Sequence, residues 1–438
     1  MHPNLSFDQA PPFSVPLRFF LLAPWFGVAA GILFALEGSD ALVSRWTNAA
    51  LTLTHLLTAG FMLQAMAGAL FQFIPVATGA NVWRPGLVAS VAQPLLVAGL
   101  VLLCAGFIRH DSALFRIAVP LLVTGGGVLA AAWLLALWRT PGKGATLTAL
   151  RFAVLGLVVT IGVGAALADG LARDLILPYA TLTDIHMTWG LGAWALLLLA
   201  GASFYVVPMF QLTPPYPLWL TRLFAPAVLA VTLLGSLRVT LDQKPAMEFT
   251  QMLPGALLLL LAGLYAVTTL NLQSRRRRRV SDVTLQLFRY SMGAILSVVA
   301  VGGLALLPID GSQLRLAPLF GVLVLAGVFV SAINGMLYKI VPFIIWLHLQ
   351  RYGASLAQVK LVPNMGVMIP SGAMLGQARM HMSAVVLLVL AVWFPALSFV
   401  AGMVFAASCA WLGWNLIAAV RRYAGFRRRI LAASLQIT

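Results

Sequence analysis

Long apolar stretches separated by short polar ones fill the chain from residue 17 to residue 420. A helix needs about 20 apolar residues to cross the hydrocarbon of a bilayer. Runs of that kind fall near 17–37, 46–76, 86–107, 113–138, 146–168, 179–210, 218–237, 250–272, 289–308, 317–345, 380–394 and 396–420, the last two divided at Phe394-Pro395. The pattern predicts an all-α polytopic membrane protein of about twelve transmembrane helices, forming one integral-membrane domain over residues 1–438. Residues 1–16 are polar and Pro-rich, without the basic region and short apolar core of a cleavable signal, and are expected as a cytoplasmic tail. Residues 343–379 are expected as a long cytoplasmic connection, and 421–438 as a basic cytoplasmic tail.

Within the apolar pattern one octet is written three times: Gly68 to Pro75 (GALFQFIP), Gly201 to Pro208 (GASFYVVP) and Gly335 to Pro342 (GMLYKIVP). The copies start 133 and 134 residues apart. Each closes a long apolar run. Glycine admits a close neighbouring backbone, and proline is expected to mark the helix end. An even period implies repeated structural units. Twelve spans then divide into three pseudo-repeated four-helix units.

Composition agrees with the pattern and adds orientation. The chain is 61% hydrophobic and 9% charged, with a mean hydropathy of +0.97, as expected for residence in a lipid bilayer. The net charge of +17 does not point to nucleic acid, because it is segregated by loop. With the N-terminus in the cytoplasm, the inner loops carry Arg84, Arg139, Lys143, Arg151, Arg222, Arg275 to Arg279, Arg289, Arg351, Lys360 and Arg379, followed by Arg421, Arg422 and Arg427 to Arg429. The outer loops hold nine of the eleven acids: Glu37, Asp40, Asp111, Asp169, Asp174, Asp184, Asp242, Glu248 and Asp310. Arg45, Arg109, Arg116, Arg173, Arg238, Lys244 and Arg315 run against the trend. The bias is the positive-inside pattern of a bacterial-type inner membrane, with both ends cytoplasmic. Cys104 and Cys409 lie in spans with no metal spacing around them and read as small apolar residues.

Candidate chemistry is confined to imidazoles. His55 stands thirteen residues before its octet glycine and His186 fifteen before its own, which puts both at similar depth in the outer third of the membrane. Span ten has Phe320 and Val322 where the third copy would place a histidine. A single buried imidazole can glue helices through one hydrogen bond or bind a metal through its neutral nitrogen. Two at matched depth in two units favour the ligand reading. His381, at the start of span eleven, and His348, beside Lys339 and Trp346, are read as interfacial snorkelling residues.

Three units of four helices, with histidines on spans two and six, resemble the heme-copper oxidase subunit I superfamily. Span two is most similar to the NnrS-type branch, linked to nitric oxide response. That branch has a His, then Gly-Phe, Gly, Pro and Gly at set intervals, matched here by His55, Gly60-Phe61, Gly68, Pro75 and Gly79. The resemblance covers the helix plan of the whole chain, and its motifs lie in spans two and six. It implies a heme cofactor with His55 and His186 as iron ligands and Met62, Met66, Trp189 and Trp194 in the pocket. Arg45, Arg173 and Arg238 would meet the heme propionates. The implied partners, besides the bilayer, are respiratory or nitric oxide-related membrane proteins. The chain departs from the branch at Leu53 and Leu56, where a second His and an acid are common. It also lacks the span-seven and span-ten histidines that a binuclear oxygen-reducing centre requires.

Two other classes fit the same outline. One is a transporter for a small solute or metal ion, for which repeats and Gly- and Pro-interrupted helices are usual. Against it, the spans lack coupling carboxylates, and Lys339, the charge furthest inside a span, can reach the cytoplasm. The other is a cofactor-free structural subunit of a respiratory complex.

Overall fold

The computed structural model describes residues 11–241, 248–277, 280–307, 315–352 and 361–435, without the side chains of 238–241, 248–251 and 433–435. Twelve helices in it are long and apolar enough to cross a membrane. In chain order they are α1 (Ser14–Ala41), α2 (Asn48–Thr78), α3 (Pro85–Arg109), α4 (Ser112–Arg139), α5 (Ala145–Ala172) and α6 (Tyr179–Gln211). There follow α7 (Leu218–Leu241), α8 (Glu248–Ser274), α9 (Val283–Leu304), α10 (Leu316–Gln350), α11 (Ser371–Trp393) and α12 (Ser398–Leu435). No strand occurs among the described residues. Local chemistry sets several boundaries. Thr47, Asp111 and Asp282 each accept a hydrogen bond from a first-turn N–H of α2, α4 and α9, and Gly79 takes the left-handed conformation after α2.

The helices close into a ring. The first helix of each unit packs on the second (α1 on α2, α5 on α6, α9 on α10), and the third packs on the fourth. The fourth packs on the first helix of the next unit, and α12 packs on α1 to complete the circle. That last seam is tight: an added Cβ at Gly31 would meet the Ala406 backbone at 2.6 Å, and one at Gly402 the Ala35 nitrogen at 2.4 Å. Small residues let van der Waals packing hold helices together where lipid offers no hydrophobic drive.

Helices α2, α6 and α10 are the inner ones. Their most apolar windows are 72%, 61% and 61% buried, against 56% or less in every other span. Each puts its octet glycine against the first helix of its own unit. A Cβ at Gly68 would strike Phe20 and the Pro16 carbonyl, at Gly201 the Ala149 Cβ, and at Gly335 Leu287 and the Thr284 carbonyl. Each inner helix also opens into a π-turn just before the octet: Leu56–Met62, Thr188–Leu196 and Leu323–Val330. The three units are therefore alike in packing and in backbone irregularity. The outer faces of α7 and α8 expose Leu233, Leu234, Leu260 and Val267 by about half each. An apolar belt of that extent suits lipid rather than water.

Some boundaries differ from the hydropathy pattern. The octet prolines lie inside their helices rather than at the ends, and α10 runs eight residues past Pro342. Helix α9 begins at Val283, so Arg289 is helical, and α11 begins at Ser371, shortening the expected 343–379 connection to 351–370. The basic tail continues α12 as far as Leu435. Lys339 reaches Asp282, the α9 cap, at 3.7 Å.

A paired-histidine site between two inner helices

His55 and His186 each stand seven residues into their helices, about 10 Å along at the α-helical rise. Both sit just before the π-turn of the helix that bears them. Matched depth on adjoining inner helices brings the two imidazoles together, with ring centroids 6.3 Å apart and planes 23° from parallel. The other neighbour of His55 is Phe107 of α3, at 5.4 Å, itself set edge-on against Phe115 of α4.

Hydrogen bonds fix the tautomers. His55 Nδ1 lies 2.8 Å from the Leu51 carbonyl one turn back, and His186 Nδ1 lies 2.9 Å from the Thr160 carbonyl of α5. A carbonyl only accepts, so each neutral ring carries its proton on Nδ1 and keeps the lone pair on Nε2. Metal-binding histidines usually hold their other ring N–H on a carbonyl, carboxylate or water in this way. Gly164, one turn from Thr160, forms the cradle for His186: an added Cβ would come within 2.7 Å of the ring's Cε1. Thr52, one turn before His55, is 1% exposed, and its hydroxyl has no hydrogen-bond partner among the described residues.

The other expected site residues scatter. Met62 is buried within the α2 π-turn. Met66 lines a separate apolar cavity of about 140 Å³ on the axis between α2, α6 and α10, with Ala69, Leu199, Ala202, Ala332 and Met336. Neither histidine lines that cavity. Trp189 turns toward α7, where its indole N–H donates to Ser236 at 2.9 Å, and Trp194 stacks on Trp133. Arg45 crosses from the α1–α2 loop to Asp184, two residues before His186, at 2.6 Å. Arg173, which caps the end of α5, is tied to Asp169 one turn back. The Arg238 side chain lies outside the described residues.

His381 requires a correction. It is not interfacial. Ten residues into α11, it is fully buried, with Nε2 2.8 Å from the Ser331 hydroxyl of α10. His348 does lie near the basic end, bonded to the Tyr423 hydroxyl at 2.9 Å and stacked on Phe13. Thr160, Gly164 and Phe107 carry no signal in the apolar pattern, because spans three to five read only as small-residue packing. The sequence matches no protein-family model and no curated protein.

Proposed function

We propose that the chain is a heme-binding membrane protein of the heme-copper oxidase-like, NnrS kind, serving nitric oxide response or respiratory-chain support. His55 and His186 are its iron ligands. The observation that carries the reading is the convergence of two imidazoles whose Nδ1 protons are bound to carbonyls and whose Nε2 lone pairs remain for a metal. If iron is bound, His55 and His186 would hold it through Nε2, because each Nδ1–H is committed to a carbonyl and the ring centroids lie 6.3 Å apart.

A bound heme would supply an iron for one-electron transfer, and for nitric oxide where only one of the two histidines holds it. The protein's own part is positional. Leu51 and Thr160 orient the rings, Phe107, backed by Phe115, packs against His55, and Arg45 pairs with Asp184 two residues before His186. On this reading Arg45, which stands beside His186 through Asp184, is the proposed propionate partner. The α7 sequence has no histidine, so the reading excludes a binuclear oxygen-reducing centre. On this reading the basic end faces the cytoplasm of a bacterial-type inner membrane, as the charge bias favours.

The test is the absorption spectrum of the purified protein in mild detergent, oxidised and dithionite-reduced, with metal analysis. A Soret band with about one iron per chain is expected. A colourless, metal-free preparation from heme-replete cells overturns the reading and returns the chain to the transporter and structural classes.

A further inference from the structure

A second polar cluster lies in the third unit, where sequence placed no chemistry. Ser331, Asn334 and Tyr338 follow one another at three and four residues, so they share one stripe of α10. Gln377 and His381, one turn apart on α11, lie across from it. The Tyr338 hydroxyl donates to Gln377 Oε1 at 3.0 Å, and His381 Nε2 meets the Ser331 hydroxyl at 2.8 Å. Helix α12 adds Ser408, which accepts from Gln377 Nε2, and Asn415, which donates to Tyr338 at 2.9 Å and to the Ala373 carbonyl at 3.4 Å. Ala373 lies in the first turn of α11, at the basic end. The cluster therefore runs from that end to the middle of the helices.

Its lower members satisfy one another; its upper members do not. Asn334 and His381 are both fully buried. Among the described residues neither amide atom of Asn334 has a hydrogen-bond partner, and nor does His381 Nδ1. Ser331 cannot relieve the imidazole. Its one proton serves either the Ala326 carbonyl or His381 Nε2, and in both cases Nδ1 is left over. Helix glue alone does not account for this, since glue consists of the pairs such groups make. A metal does not suit the donors either: among the described residues no group of three His, Cys, Asp or Glu side chains lies together. Neutral donors and acceptors of both kinds match a neutral hydrogen-bonding guest.

We propose that the unpaired Asn334 amide and His381 Nδ1 each bind internal water, reached from the basic end along the stripe of Tyr338, Gln377 and Asn415, which gives a buried imidazole proton exchange with that face. The site is independent of the iron reading. Deuterium exchange at the Cε1 position of each histidine, read by mass spectrometry on the intact detergent-solubilised protein, tests it. The exposed His110 serves as the internal reference. His381 should exchange measurably in the wild type and slow by about tenfold or more in Asn334→Leu, which removes both amide atoms at similar volume. Tyr338→Phe, which removes only a hydroxyl on the route, should slow it as well and serves if the first variant does not fold. A His381 that stays unexchanged while His110 exchanges overturns the proposal. So does a folded Asn334→Leu with unchanged exchange, or one with a raised melting temperature, because an amide without a guest is better replaced by an apolar group.

Discussion

At the scale of single residues, the His55–His186 pair depends on what its neighbours leave open. Gly164 has no side chain where one would strike the His186 ring at 2.7 Å. Gly164→Ala should therefore push the imidazole off the Thr160 carbonyl and cost about 1–3 kcal/mol of stability, the usual range for overpacking. Thermal unfolding measures the cost, and a changed Soret band measures the displaced ligand; an unchanged melting temperature and spectrum would show that the cradle is loose. The pair itself was legible in sequence, because spacing to the octet glycine is a measure of depth. His381 was not. Hydropathy averages over a window, so Ser371, Gln377 and Arg379 made the first turns of α11 look like loop. Gln377 and His381 are nevertheless fully buried, each with a hydrogen-bond partner on another helix.

Among the elements, the π-turns are what the sequence conceals. Their residues are as apolar as the regular turns beside them, and an extra residue per turn leaves no mark on composition. Such turns recur at functional sites because they re-aim the residues on either side. Two of the three here follow a histidine directly or after one residue. Deleting one residue within Leu56–Met62 should restore a regular helix and rotate His55 by about 100° relative to the octet below it. Circular dichroism should show unchanged helix content while heme binding is lost. Retained heme would mean that the π-turn does not aim the ligand.

The whole molecule was the most legible scale. The octets marked three units, and the structure sets each octet glycine against the first helix of its own unit. Closure of the ring by α12 on α1 leaves no mark in the local pattern, since its small-residue seam joins residues about 370 apart. The segregation of charge between loops predicts a direction for the molecule. A reporter fused after Arg279 should read cytoplasmic and one fused after Asp310 periplasmic. The same reading at both positions would remove α9 from the membrane and undo the alternation on which the unit plan rests.

The central claim is that one iron is held from two inner helices, and it rests on two side chains. The most direct measurement is the oxidised and dithionite-reduced spectrum of His55→Ala and His186→Ala beside the wild type, each purified at matched folded yield. Removing either ligand of a two-sided site should abolish the Soret band or shift it markedly, and His348→Ala, near the basic end, should leave it unchanged. A band that survives both replacements, or one lost with His348→Ala alone, would contradict the account and place the iron elsewhere in the molecule.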